Sequence, residues 1–254
     1  MPEGLLPAEV GPALAALLVG TSFLTSMLTG ALGLGGGVMM LALLATVLPP
    51  VIVLPVHGVV QIGSNLGRAV LLRAEVARGL LVPFAAGSLV GVAAGALLVR
   101  ELPRGLLVLL LGLFVLWSCW SPRLRPHELP PRAFGLVGAL TSFVTMFLGA
   151  TGPFVAAFLG PERLGRKGVV ATHAACMTLQ HALKVGAFTA LGFAFLPWLP
   201  LLLAMIGLGF LGTLVGTRLL DRLPERSFAR AFRLVLSGLA LKLVWDGGAA
   251  LLAP

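Results

Sequence analysis

The sequence predicts an all-α polytopic membrane protein made of two inverted repeats, each a re-entrant, broken-helix hairpin followed by three transmembrane helices. Three observations point there. Hydrophobic residues make up 58% of the chain and charged residues 11%, where a soluble domain carries about 25% charged residues. The apolar segments run one long, one short and three long, and then repeat that order. The basic residues crowd into alternate loops, which is what orients a membrane protein. The net charge of +9 therefore reads as cytoplasmic arginines, not as a nucleic-acid surface.

The chain starts MPEGLLPAEVG, acidic where a secretory leader is basic, so no cleavable leader is expected. A long apolar segment covers 12–34. Near its end, five glycines fall in eight residues: Gly30, Gly33, Gly35, Gly36 and Gly37. An open turn in lipid leaves backbone N–H and C=O groups unpaired unless protein buries it or it lines a cavity. Glycine permits such a turn and lets backbone N–H groups approach a ligand. The short run 36–49 would then aim a helix N-terminus, with its partial positive charge, into the turn. An anion suits that position, although a helix-packing kink uses the same glycines.

Long segments follow at 51–72, 79–99 and 105–121. A polar, proline-rich linker at 122–132 separates a first repeat, 1–121, from a second, 133–254. The second contains 133–150, a short run 152–160, and then 168–190, 197–217 and 227–248. Ser22-Phe23-Leu24-Thr25 matches Ser142-Phe143-Val144-Thr145. Gly91-xxx-Gly95 matches Gly212-xxx-Gly216, and Leu102-Pro103 matches Leu223-Pro224. The spaced glycine pairs are helix-packing faces. The first glycine turn corresponds to Gly149-Ala150-Thr151-Gly152-Pro153, where Pro153 can open a short helix.

Loops 67–79, 121–133, 160–168 and 218–230 hold 13 of the 18 basic residues. They are Arg68, Arg73, Arg78, Arg123, Arg125, Arg132, Arg163, Arg166, Lys167, Arg218, Arg222, Arg226 and Arg230. The other side receives Arg100, Arg104 and the acidic start with Glu3 and Glu9. Both termini are then outside. Each hairpin returns to its own side, and the odd number of crossings inverts the second half. Transporters with discontinuous helices in inverted repeats hold substrate near the membrane midplane.

Two segments carry the chemistry. One holds His57, Gln61, Ser64, Asn65 and Arg68; the other holds His173, Gln180, His181 and Lys184. At an offset of 116, His57 falls on His173, Ser64 on Gln180, Asn65 on His181 and Arg68 on Lys184, while Gln61 faces Met177. The spacing i, i+4, i+7, i+8, i+11 makes each set a single helical stripe. An intramembrane lysine costs about 2.5–3.5 kcal/mol. No carboxylate lies in these segments or in the hairpins to answer it. A diffusible anion would.

Lys184 is the expected principal fixed charge. His181 is the expected titrating group beside it, with His57 and His173 as further proton-coupling candidates. Snorkelling is the other reading of Lys184, and a loop position the other reading of Arg68. Lys242 and Asp246, one turn apart, can satisfy each other. The expected substrate contacts are Gly35, Gly36, Gly37, Thr151 and Gly152 at the turns. His57, Gln61, Asn65 and Arg68 join them from one stripe, and His173, Gln180, His181 and Lys184 from the other. No metal site is expected, because no carboxylate or thiol completes a ligand set. Cys119 and Cys176 read as buried small hydrophobes.

The run Gly33-Leu34-Gly35-Gly36-Gly37, the second Gly/Pro turn and the A/S-x-x-x-N polar stripe resemble the TauE/SafE sulfite exporter family over nearly the whole chain. The second turn departs from the usual form by having fewer glycines. The resemblance implies transport of sulfite, sulfonates or related sulfur oxyanions across the cytoplasmic (inner) membrane of a bacterium or archaeon, commonly as export and without a cofactor. No G-x-x-x-x-G-K-[ST] run offers an ATP site. An anion channel on two half-helices remains an alternative, though paired N-P-A-type turns are missing. An intramembrane hydrolase would need more than His57 and Ser64 on one helix, with no G-x-S-x-G elbow. A thiol electron carrier would need repeat-related cysteines, and Cys119 and Cys176 are not so related.

Overall fold

The computed structural model describes residues 6–32, 35–120, 129–219 and 225–252. Glu3, Gly33, Arg123, Arg125, Arg222 and most of the linker lie outside these residues, as do the side chains of Arg226 and Arg230. The described residues form α-helices joined by short 3₁₀ turns, with no strand among them. The helices are α1 (Pro12–Leu32), α2 (Gly36–Val47), α3 (Pro50–Leu71), α4 (Leu81–Leu98) and α5 (Arg104–Trp120). Then follow α6 (Phe134–Leu148), α7 (Gly152–Ala157), α8 (Pro161–Ala190), α9 (Leu199–Leu219) and α10 (Glu225–Leu252). Among the described residues six stretches, containing or lying within α1, α3, α4, α6, α9 and α10, are long and apolar enough to cross a membrane.

Two expected boundaries shift. The segment 160–168, read as a loop, is largely helical: α8 begins at Pro161 and breaks at Gly165, where φ is 64° and ψ 170°. Proline suits the first helical turn, whose N–H has no intrahelical partner to lose. Arg68, counted among the loop cations, lies inside α3 and is only 1% exposed.

Glycine faces set the helix directions. Side chains at Gly212 and Gly216 would run into the backbone at Phe23 and Met27. Later residues meet later residues, so α9 runs parallel to α1. Gly87 and Gly91 lie on Gly135 and Ala139 in the same manner, so α4 runs parallel to α6. Both Gly-xxx-Gly pairs are thus close-packing faces, as small residues in membrane helices generally are. Gly105 rests on Gly247 and Gly112 on Ala240 and Val244, which makes α5 and α10 antiparallel.

The centre is built on α3 and α8. Gly58 sits against Lys184 and Val185, while Arg68 and His173 line one small cavity. The two helices are therefore antiparallel. Gly63 and Gly67 seat α3 on Ile206 and Phe210 of α9, a parallel contact. Gln180 reaches Ser142 and Lys184 reaches Gly149, so α8 runs parallel to α6. Large apolar side chains such as Leu97, Trp245 and Leu252 stay exposed on the outside, as lipid-facing residues do. The two short helices stop inside this frame. At 1.5 Å per residue the 12 residues of α2 reach about 18 Å, roughly half a bilayer core.

Candidate functional site

The site begins with the two turns. Gly35 has φ 103° and Gly149 has φ 75°, left-handed backbone that glycine adopts without a Cβ clash. Gly35 lets the chain reverse after α1 and open α2. Gly149 closes α6 before α7. Gly36 faces α1: a Cβ there would strike the Thr25 carbonyl and the Thr29 hydroxyl. Gly37 faces inward, its Cβ position 2.9 Å from Gln61 Oε1. Gly36 therefore packs the α2 N-terminus onto α1, and Gly37 borders the interior.

A cavity of about 30 Å³ lies where both turns meet α3 and α8. That is room for about two waters. Gly35, Gly37, His57, Gln61, Asn65 and Arg68 line one side. Gly152, Pro153, His173, Met177 and His181 line the other. Thr29 and Met177 also line it and were not singled out in the sequence. Met177 stood opposite Gln61 in the repeat alignment, and Thr29 ends the Thr25-x-x-x-Thr29 spacing of α1, so both left a faint signal. A larger cleft of about 150 Å³ opens beside Arg78, Phe134, Phe158 and Arg163, but it contains no residue of either polar stripe.

Most polar side chains on the cavity are anchored by hydrogen bonds. His57 Nε2–H donates to the Gly37 carbonyl at 2.9 Å, and His173 Nε2–H donates to the Gly152 carbonyl at 3.1 Å. Asn65 Nδ2 donates to the Gln61 carbonyl at 2.7 Å. Its Oδ1 accepts from Arg68 Nη2 at 2.5 Å, while Arg68 Nη1 donates to the Thr29 carbonyl at 3.2 Å. Arg68 is thus held by the C-terminal end of α1, where exposed carbonyls carry partial negative charge. The His57 and His181 rings meet edge to face, with centroids 5.6 Å apart.

Gly36, Thr151, Gln180 and Lys184 stand one layer back. Thr151 Oγ1 donates to Gln180 Oε1 at 2.9 Å, and Gln180 Nε2 donates to Ser142 Oγ at 2.9 Å and Thr141 Oγ1 at 3.2 Å. These bonds fasten the α7 turn to α6 and α8. Lys184 is fully buried, so it does not snorkel. Its ammonium donates to the Gly149 carbonyl at 2.9 Å. Lys184 is still near enough to His57 and His181 to act on their charge.

The electrostatic balance is one-sided. No carboxylate occurs between Glu9 and Glu75, or between Glu162 and Asp221. Lys242 and Asp246 pair with each other on the exterior of α10. A cation and three imidazoles thus ring a small polar cavity, and buried charge demands compensation. Among the described residues no cluster of histidine, cysteine or carboxylate groups could hold a metal ion. Cys119 and Cys176 are both buried free thiols.

Comparison with known proteins adds one finding. A family model described as sulfite exporter TauE/SafE matches residues 18–243. No curated protein and no solved structure matches the chain. The matched span takes in both turns and every cavity-lining residue. The chain belongs to the TauE/SafE sulfite exporter family, a family of membrane transporters.

Proposed function

We propose that this protein is a proton-linked secondary exporter of small sulfur oxyanions, such as sulfite or organosulfonates, in a bacterial or archaeal cytoplasmic membrane. One observation carries the reading: Arg68 and three histidines line a single cavity at the meeting of two glycine turns, and no carboxylate in the surrounding helices neutralises them. Arg68 and Gln61 are the donors best placed for the anion's oxygens, with Asn65 aiming the guanidinium. His181 is the titrating group of this reading, with His57 and His173 as further proton-coupling candidates. A hydrogen bond to a charged group contributes about 1.5–3 kcal/mol. Three or four such contacts, less the cost of desolvating the anion, correspond to micromolar-to-millimolar binding.

An inverted repeat accounts for the helix directions. Exchange α1 with α6, α3 with α8 and α4 with α9. The parallel pair α1–α9 then becomes α6–α4, and the set α1, α3, α9 becomes α6, α8, α4, which runs the opposite way. The anchoring bonds exchange too: Arg68 to the end of α1 with Lys184 to the end of α6, and His57–Gly37 with His173–Gly152. Cysteines placed at positions 3 and 252 should both label from outside the cell. Labelling at only one of them would break the inverted arrangement.

Liposomes loaded with sulfite test the function. The reconstituted protein should release sulfite with saturating kinetics and respond to an imposed pH gradient, and Arg68→Ala should stop release. Flux that rises linearly without saturation would favour a channel. No flux of any sulfur oxyanion would contradict the reading.

A further inference from the structure

The two backbone-anchored histidines constrain what the cavity can hold. A carbonyl oxygen only accepts, so the Nε2 atoms of His57 and His173 must be the donors to Gly37 and Gly152. A neutral imidazole carries one N–H. With that proton fixed on Nε2, Nδ1 of each ring is a bare acceptor. Nδ1 of His173 and Nδ1 of His57 are buried without a hydrogen-bond partner, as is Nδ1 of His181, although the His57 ring also lies against the Gly149 carbonyl; His57 and His173 are 0% and 4% exposed. Both rings line the cavity. An unsatisfied buried acceptor is costly, so a donor arriving with the ligand has two places to bond.

A fully ionised oxyanion offers acceptors only. Against Arg68 that is an advantage. Against two nitrogen lone pairs it is a conflict, and an added proton removes it. The charged and titratable groups facing these rings are Arg68 on α3 and Lys184 and His181 on α8. The helices α1, α2, α4, α6 and α7 bring no titratable side chain toward them. Each ring already faces one cation, Lys184 beside His57 and Arg68 beside His173, so a further positive charge on either ring is disfavoured. The proton is better carried by the anion as an O–H.

We propose that the cavity selects a singly protonated oxyanion, one that keeps an O–H donor near neutral pH, over both the fully ionised form and an anion of the same shape without the hydroxyl. Hydrogensulfite is of this class. The O–H donates to Nδ1 of His57 or His173 while the ionised oxygens accept from Arg68 and Gln61. Each anion then moves together with one proton, and the coupling resides in the substrate's own protonation state as well as in the histidines. The inference rests on the exporter reading above.

The test is calorimetric titration of the full-length protein in nanodiscs with sulfite and with methanesulfonate. Methanesulfonate is a monoanion in which a methyl group replaces the hydroxyl. Methanesulfonate should bind at least about tenfold more weakly than hydrogensulfite. The apparent affinity for total sulfite should fall as pH is raised from about 6 to about 8, in step with loss of the protonated form. Equal or tighter binding of methanesulfonate, or sulfite affinity that holds or rises with pH, would overturn the proposal and leave the exporter reading intact. Binding of neither anion at any pH would overturn the exporter reading itself. His57→Phe and His173→Phe each remove one acceptor and should narrow the gap between the two ligands. A gap unchanged in both, in protein that still elutes as a single species, would take the discrimination away from these rings.

Discussion

The α1–α3 corner and the α6–α8 corner present the same parts and use them differently. In the first, Asn65 and the Thr29 carbonyl aim Arg68 so that its guanidinium borders the cavity. In the second, Lys184 occupies the matching stripe position, yet its ammonium is spent on the Gly149 carbonyl behind the cavity wall. Gln61 faces the cavity; its counterpart Met177 brings a thioether. Ser64 has Gln180 as its counterpart, and that amide is committed to Thr151, Thr141 and Ser142. The histidines, His57 and His173, hold the same kind of bond in both corners, and each cation donates to a carbonyl near the end of its hairpin helix. The difference teaches that two cations at matching stripe positions can be placed differently, one bordering the cavity and one holding a turn behind it. Burial does not distinguish the two cations, and neither does a carbonyl partner; bordering the cavity does.

Substitutions that separate the two roles break or sharpen this comparison. Arg68→Ala has the largest expected effect on binding, a loss of about 1.5–3 kcal/mol or roughly 10- to 150-fold in Kd for sulfite, read by calorimetry. Arg68→Lys should restore part of it, because a compact ammonium cannot use both Asn65 and Thr29 as the planar fork does. Gly149→Ala comes next and acts on stability. A Cβ at φ 75° is strained and would meet Leu41 Cδ1 at 2.5 Å, so about 1–2 kcal/mol should be lost, seen as a lower Tm with residual binding in the folded fraction.

Lys184→Met follows. It leaves the Gly149 carbonyl with the Thr145 hydroxyl, 3.2 Å away, as a remaining donor. A Tm decrease worth about 1 kcal/mol and less than about a tenfold change in Kd are expected. Gly37→Ala is the mildest. The added methyl meets the movable Gln61 side chain, so a change of about threefold in Kd, under 1 kcal/mol, should appear without a change in Tm. Gly36→Ala, directed at the Thr25 backbone, should do the reverse.

Much of this arrangement was legible in the sequence. The apolar runs located the helices within a few residues, because a membrane span is written as length and hydropathy. The stripes on α3 and α8 were legible because helical spacing fixes which residues share a face. Gly35 and Gly149 lay in the two glycine turns, though nothing local said that those two residues would carry the positive φ. The start of α8 was misread because arginines between two apolar runs look like a loop, and a helix broken at Gly165 can hold them equally well.

The roles of Gly36 and Gly37 were not separable. Adjacent residues point about 100° apart on a helix, and only the position of α1 says which of them faces the cavity. The orientation of Lys184 was hidden for another reason. Its partner is a backbone carbonyl 35 residues away, and every residue has such a carbonyl. A sequence displays side-chain partners, whereas here the answer to a buried charge was a turn. Thr29 took part through its main chain in the same way.

The central claim is that Arg68 is the cation that meets the anion and that Lys184 is the cation that holds the turn. Sulfite titration of the wild type, Arg68→Ala and Lys184→Met, side by side in the same nanodiscs, tests it most directly. The account predicts a loss of affinity in Arg68→Ala at least several-fold larger than in Lys184→Met, roughly 10- to 150-fold against less than about tenfold. An affinity unchanged in Arg68→Ala, or a loss in Lys184→Met as large as in Arg68→Ala, would contradict it.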